Sequence, residues 1–551
     1  MYYKVNEHKL REILNEIDGK RYSSYKKLGD LVIHYGTAKA YFTKIQGDPH
    51  APPSVLEIVV SGKAHSFPYE FFRNEVPFTD YLARELFKVT KRFSRKCGSG
   101  YSGYIGIPRP SPRILKRSCV EAKGRELILR IYIGLPARGR RILGNQAKKL
   151  LLDYAPKIIN SIIELSSREG EIREHIEYYL DQEYLRKWLY ENNYAFFIAD
   201  NSILPRESSL SEKPLRNVVP FKSPETLRVQ VKLPSNKVVS GMAVPLGVIV
   251  ITGGGYHGKT TLLEAIQEGI YNHVKGDGRE YVVSRKYTVM VRAEDGRIVT
   301  NVDISSFITS LPGNTSSKFS SLDASGSTSM AASINEVIEA RAELLLIDED
   351  TSATNLLFKD KVMEEIIVKE PIRPLCLQVK SLVKKTGIGV VVIASASSSF
   401  LGSADKVILM EDYVPKNITS KVKKMTNTVR ELEYKLPRNR MFHGIRRLRK
   451  VRAKDYKIVA EYNDGTVFEL DLAYYPRIVE KGQVKFIAQI VKKLSKPRKP
   501  LPIPRLVDYI NRLIHEKGFK AFVDLIPPDL TMVDGFDVVW VLNRLYNSHI
   551  V

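Results

Sequence analysis

The hydrophobic and polar positions change period several times along the chain. Leu10, Ile13, Leu14 and Ile17 recur at helical spacing, as do the apolar positions between Phe78 and Phe93. Residues 55–60 and 127–133 alternate or run apolar in the manner of strands. From 146 to about 195 the spacing is helical again. Leu150, Leu151, Ile158, Ile159, Ile162 and Ile163 fall on repeating faces, and a second helix is expected over 172–190. Three short, unbroken runs stand apart: Val248-Ile249-Val250-Ile251, Leu344-Leu345-Leu346-Ile347 and Val390-Val391-Val392-Ile393. Their length and aliphatic content are those of strands buried on both faces of a parallel sheet.

Between these runs lie a Pro- and Ser-rich loop at 201–224 and a helix expected over 330–341. Further on, residues 456–462 and 466–470 flank Asp464-Gly465 as a hairpin, and helices are expected over 479–494 and 506–517. A Lys- and Pro-rich stretch, 492–504, separates those helices. The expected fold class is α/β in three parts: an α+β domain over 1–165, a core over 166–415 and a small basic α+β domain over 416–551. A length of 551 residues agrees, since it exceeds what one core supports.

Composition changes this picture in one respect. Hydrophobic residues at 43% and charged residues at 27% are ordinary, but a formal charge of +25 is not. Clustered Lys and Arg release counterions from an anionic polymer, so nucleic acid is the expected partner, against the plainer reading of a solvated basic surface. Residues 421–454 hold thirteen Lys/Arg against two Glu, densest at Arg446, Arg447, Arg449 and Lys450. A second cluster, Arg138, Arg140 and Arg141, sits in an irregular connection punctuated by Gly134, Pro136 and Gly139. Guanidinium groups match phosphate oxygens bidentately, which suits either cluster to a phosphate backbone. Phe442, Tyr456 and Tyr462 are aromatics for stacking on bases or for filling the hairpin core. Cys97, Cys119 and Cys376 show no CxxC spacing, which argues against a disulfide framework or zinc site. The opening residues lack the apolar core of a signal peptide, and no run approaches the ~18–20 apolar residues of a membrane span. A soluble, cytoplasmic protein without a membrane partner is expected.

The first apolar run carries the most specific chemistry. It stops in Gly253-Gly254-Gly255-Tyr256-His257-Gly258-Lys259-Thr260-Thr261 and restarts as the helix-like Leu262-Leu263-Glu264-Ala265-Ile266. Gly253, Gly258, Lys259 and Thr260 fit the phosphate-loop pattern. Backbone N–H groups must wrap a β-phosphate that side chains would obstruct, hence the glycines, and the following helix aims its positive end at the phosphates. Lys259 would bridge the β- and γ-phosphates of ATP, and Thr260 would ligate Mg²⁺. The second run ends in Asp348 and Glu349, acids at the carboxyl edge of a central strand. Asp348 is the candidate for holding the Mg²⁺ water shell and Glu349 for polarising the attacking water.

Ala324-Ser325-Gly326-Ser327-Thr328 before the 330–341 helix makes a second candidate anion site. With Asp348-Glu349-Asp350-Thr351-Ser352-Ala353, it resembles the signature and D-loop of ABC-type ATPases. The likeness narrows further on Gln46-Gly47-Asp48-Pro49, residues 134–142, 199–206 and 253–263, Gly276-Asp277-Gly278-Arg279-Glu280, Val302-Asp303-Ile304-Ser305, residues 324–329 and residues 348–355. On these the chain resembles, over nearly its whole length, the family of ATPases of the ABC class, which includes a mitochondrial RNA-editing ATPase. The resemblance implies an N-terminal domain, an ABC-type P-loop core and a small C-terminal domain. It also implies a head-to-tail homodimer on ATP in which Ser325, Gly326 and Ser327 close on the partner's γ-phosphate, and, from one member, nucleic-acid binding by a pore-like dimer.

There are departures. Ser327 and Thr328 stand where transporters carry Gly and Gln, and the run after Ile393 holds serines between 395 and 399 where a switch histidine is typical. Slow turnover is expected. Glu294, Asp295 and Asp303 remain alternatives for the Q-loop residue, and Phe221 is the guess for the adenine platform. The favoured function is an ATP hydrolase whose closure on ATP is coupled to nucleic-acid binding, RNA before DNA. A nucleic-acid scaffold using ATP as a slow structural ligand is the alternative. An SMC-like repair ATPase would need a long coiled coil where only about 65 residues separate phosphate loop and signature.

Overall fold

The computed structural model describes residues 3–208, 211–311, 313, 315–360, 366–367, 369–395, 397–426, 430–496 and 499–551. The first two residues, read above for a leader, lie outside the described residues. So do pieces of the stretches 201–224, 395–399, 421–454 and 492–504. The chain divides into two compact units. One is Met1–Tyr179 with Glu480–Phe486 and Lys517–Met532; the other is Leu180–Val479 with Ile487–Glu516 and Val533–Val551. Residues 416–551 are thus divided among both units.

In the first unit, β1 (Tyr3–Val5), β2 (Leu31–Tyr35), β3 (Ala38–Lys44), β4 (Ser54–Val60), β5 (Ile105–Gly106), β6 (Val120–Lys123) and β7 (Glu126–Ile133) form a sheet. Its order is β1-β2-β3-β4-β7-β5, with β6 beside β7. Helix α1 (Glu75–Phe93) lays Phe78, Leu82, Leu86 and Val89 into the core that Leu56, Ile58, Leu129 and Ile131 share. The short hairpin β8 (Ala137–Arg138) and β9 (Arg141–Ile142) carries the first arginine cluster. Asp80 of α1, buried, pairs with Arg84, Arg117 and His175. Arg117 in turn holds Glu480 at 2.6 Å, which draws that far segment into this unit.

The second unit is built on two sheets. One, antiparallel, contains β10 (Tyr194–Ala199), β11 (Arg228–Lys232), β12 (Val238–Pro245) and β14 (Val282–Ser284) in the order β11-β12-β10-β14. The other contains β13 (Val248–Gly253), β15 (Thr288–Val291), β18 (Leu344–Asp348), β19 (Gly389–Ile393), β20 (Lys406–Glu411) and β21 (Val414–Asn417). Its order is β15-β18-β19-β13-β20-β21, parallel except for the edge strand β21. The three apolar runs are its adjacent central strands β13, β19 and β18, buried along their length. Alternation in β10 and β12 supplies both layers. Phe196, Ile198, Met242 and Val244 pack on the parallel sheet's side, while Phe197, Ala199 and Ala243 meet Leu185 and Leu189 of helix α2 (Glu169–Glu191).

Helix α3 (Lys259–Glu268) follows β13, and the hairpin β16 (Arg297–Val302) and β17 (Phe319–Ala324) leads into helix α4 (Gly326–Glu339). Beyond lie β22 (Met441–Ile445), β23 (Leu448–Lys454), β24 (Lys457–Tyr462) and β25 (Val467–Asp471), then β26 (Leu501–Pro502) and β27 (Ser548–Ile550). β23-β24-β25 is the expected hairpin extended by one strand. Phe442 and Tyr462 are buried, so the core reading holds for both and neither is available to a base. No helix among the described residues is long and apolar enough to cross a membrane.

Helix α4 is held by a buried charge network. Arg297 donates to Glu336 at 2.9 Å, Arg440 to Glu339 at 2.7 Å and Arg544 to Glu294 at 2.9 Å, with Glu336 also 3.5 Å from Arg544. Burial alone would raise the Glu294 carboxyl, but the Arg544 guanidinium holds it down at about 2. Arg544 also lies over the Trp540 ring, 3.7 Å from its centroid. Removing one partner from such a set strands a buried charge. Arg544→Met is therefore expected to destabilise the protein by about 3–5 kcal/mol, read from the urea midpoint. Adding Glu294→Gln should restore a good part of that loss; a double variant no more stable than the single would refute the pairing.

Candidate nucleotide site

Parallel register sets the site. Ile251 pairs with Ile393, and Ile393 with Asp348, so β13, β19 and β18 end side by side. The phosphate loop starts two residues beyond that row, Ser395 stands two residues beyond it on β19, and Glu349 one beyond it on β18. All the expected chemistry therefore collects at the carboxyl edge of one sheet, as open α/β sheets require.

The loop has the shape of an anion cradle. Gly253, with φ +142°, lies so close to β20 that a Cβ would drive into the Met410 carbonyl. Gly258, with φ +88°, caps α3 in a left-handed conformation. Gly254 and Gly255 are exposed, and nothing lies within 4 Å of a Cβ built on Gly255. Nothing in the protein therefore excludes a side chain at Gly255. Lys259 donates to the Gly253 and Gly254 carbonyls at 2.9 and 2.7 Å, folding its ammonium into the bend. Thr261 is half-buried in the first turn of α3.

Thr260 Oγ1 donates to Asp348 Oδ2 at 3.4 Å. Burial raises the Asp348 carboxyl above its ordinary range. A hydroxyl and a carboxylate converging at the mouth of a phosphate loop fit Mg²⁺, which takes one or two protein oxygens and completes its shell with water and phosphates. No group of three or more His, Cys, Asp or Glu placed to hold a metal occurs among the described residues, and this site calls for none. Glu349 is half-buried, and its Oε2 accepts from the Ser395 backbone N–H at 2.7 Å.

At the start of α4, Ser325 Oγ lies 3.0 Å from Thr328 Oγ1, and Ser327 Oγ donates to Asn355 Oδ1 at 2.8 Å. The Ala293 N–H donates to Thr351 O at 3.0 Å, and Glu294 N–H to Ser329 Oγ at 3.0 Å. The run after Asp348 is thus tied to α4 and to the end of β15. Glu294 is committed to Arg544, and Asp303 accepts from Ser305, which occupies two of the three Q-loop alternatives. Phe221 is 3% exposed within the core and cannot serve as a platform for adenine.

Both arginine clusters are exposed and lie away from the phosphate loop in sequence. Arg138, Arg140 and Arg141 present themselves on the β8–β9 hairpin, where Arg140 meets Asp48 at 3.0 Å. Arg446 and Arg447 sit in the turn between β22 and β23, and Arg449 and Lys450 on β23; Arg449 meets Glu461 at 2.9 Å and Arg446 reaches His549 at 2.6 Å. Neither the Ser395 contact nor the Ser327–Asn355 tie was read from the sequence. Serines after a buried strand carry no signal of which backbone group they offer.

A phosphate loop on the middle strand, with one strand between it and the acid-bearing strand, defines a P-loop ATPase core. Residues 168–447 match the P-loop domain of the ABC-class ATPases, and residues 7–166 match the family described as ATPase of the ABC class N-terminal. The chain belongs to the ATPases of the ABC class. It is also similar to an uncharacterised protein of Methanocaldococcus jannaschii, 32% identical over 251 residues that cover 43% of this chain and 54% of that protein. The match spans about half the length of that curated relative.

The two kinds of glycine in the loop separate experimentally. Gly253→Ala should lower stability by about 1–3 kcal/mol without nucleotide, because strand spacing must give. Gly255→Ala should melt as the parent does and lose only phosphate affinity. Equal melting losses in both variants would contradict this geometry.

Proposed function

We propose that the protein binds and hydrolyses ATP between two copies of the chain arranged head to tail, and that this closure is coupled to holding nucleic acid, RNA before DNA. The observation that carries the hydrolytic part is the alignment of Lys259, Thr260, Asp348 and Glu349 at one sheet edge, with Glu349 fixed by the Ser395 N–H. On binding, Lys259 exchanges the two loop carbonyls for β- and γ-phosphate oxygens. Thr260 and Asp348 hold the cation, which offsets the phosphate charge when bound. Glu349 aims one oxygen at the water that attacks the γ-phosphorus and takes its proton as the bond to ADP breaks.

The Ser325-Gly326-Ser327 helix start supports the dimeric reading: Ser325 stands exposed at the start of α4, and a helix start favours an anion such as a partner's phosphate. The exposed arginines of both clusters, engaged by few acids, support the nucleic-acid reading. A second reading, ATP as a slow structural ligand of a nucleic-acid scaffold, is favoured by one feature. Where a switch imidazole would stand, β19 offers the Ser395 backbone.

Glu349→Gln tests the chemistry and the assembly together. It should bind ATP as the parent does, hydrolyse it about 10²–10⁴-fold more slowly and accumulate as an ATP-loaded dimer on light scattering. Hydrolysis at the parent rate would remove Glu349 from the mechanism, and a monomer holding intact ATP would sink the head-to-tail arrangement. For the nucleic acid, each phosphate contact on a single strand contributes about −0.7 to the log–log salt slope. Reversing Arg446, Arg447, Arg449 and Lys450 to Glu should flatten the slope for single-stranded RNA by roughly three units. Reversing Arg138, Arg140 and Arg141 is the control and the rival: it should remove roughly two units only if the nucleic acid lies on that hairpin instead. Whichever reversal flattens it marks the bound face; if neither does, the basic charge serves another partner.

A further inference from the structure

We infer that Tyr413 is the platform on which the base of the bound nucleotide stacks. The inference rests on the phosphate loop being the nucleotide site. Gly253 pairs with Met410, so β20 runs alongside β13 into the loop on the side away from β19 and β18. The acids that face the γ-phosphate lie on the β18 and β19 side. A triphosphate threaded through the loop with its γ end there delivers ribose and base toward β20. β20 then turns at Asp412-Tyr413 and returns as β21, with Glu411 opposite Val414.

That turn is docked on the loop. The Asp412 N–H donates to His257 Nδ1 at 2.7 Å, and a Cβ built on Gly258 lies 3.3 Å from Tyr413 Cδ1. The residue is nevertheless 54% exposed, so Tyr413 touches the phosphate loop at Cδ1 and stays open to solvent. Its backbone is unusual for such a residue. Asp412 and Tyr413 have φ of +49° and +67°, the two left-handed positions of a tight hairpin turn that Asn-Gly or Gly-Gly fill best. Asp tolerates this conformation through its short polar side chain, but a tyrosine gains nothing locally from it. An aromatic kept in a glycine position, exposed, and leaning on the phosphate loop is placed for a ligand ring. Tyr256 is the neighbouring aromatic of the loop, at 99% exposure, and serves as the comparison.

The test uses the full chain with ATP and with inorganic tripolyphosphate, which fills the loop but has no base. Tyr413→Gly suits the turn better than tyrosine, so it should melt no lower than the parent. It should bind tripolyphosphate unchanged while its Kd for ATP rises about tenfold or more, the loss of one stacked base. Tyr413→Phe should keep parent affinity for both ligands, and Tyr256→Ala should leave the ratio of the two affinities unaltered. Unchanged ATP affinity in Tyr413→Gly overturns the proposal, and so does a loss shared equally with tripolyphosphate, which would make the residue a support for the loop. If Tyr256→Ala alone lowers the ratio, the platform is Tyr256. If the parent binds neither ligand, the nucleotide reading itself fails and the proposal falls with it.

Discussion

The site depends on hydrogen-bond register in a parallel sheet. Once Ile251, Ile393 and Asp348 share a row, the loop after β13, the carboxylate after β18 and the amide after β19 have no choice but to meet. A slip of one residue in any of the three strands would turn its side chains to the opposite face and separate Thr260 from Asp348. The same register on the other flank of β13 carries the Asp412-Tyr413 turn to the loop, so both flanks of the candidate site are measured from one strand.

Helix α4 has a different kind of anchor. Its exposed N-cap residue, Ser325, engages Thr328, while its later turns carry Glu336 and Glu339 into a network with Arg297, Arg440 and Arg544. Buried ion pairs add little to net stability, but they tolerate only one arrangement. Here they fix the direction of the helix without placing bulk near its start. The tie from Ser327 to Asn355 links that start to the acidic loop after β18.

The frame of the candidate site was legible because a glycine-rich turn between a buried strand and a helix constrains main chain and spacing, which a sequence displays directly. Gly253, Gly258, Lys259, Thr260, Asp348 and Glu349 all fall where the pattern places them. Aromatic roles were not legible. Phe221, Phe442 and Tyr462 are buried by elements distant in sequence, while Tyr413 stays exposed for reasons of turn geometry that no periodicity records. Charge was legible only in sum. Arg440, one of the thirteen basic residues counted between 421 and 454, is 1% exposed and bound to Glu339. The sharing of residues 416–551 between two units was equally hidden, since it turns on pairings such as Arg117 with Glu480 across 363 positions.

The charge network also imposes an order in time. Of the three arginines that pair with Glu294, Glu336 and Glu339, only Arg297 lies near in sequence. Arg440 follows Glu339 by 101 residues, and Arg544 follows Glu294 by 250. At roughly 5–20 residues per second, translation takes on the order of 10 s or more to cover the longer interval. Through that interval Glu294 lacks the guanidinium that holds it in the finished protein, so its carboxyl can be buried only protonated or not at all. The carboxyl group beside α4 therefore gains its partner only among the last events of synthesis.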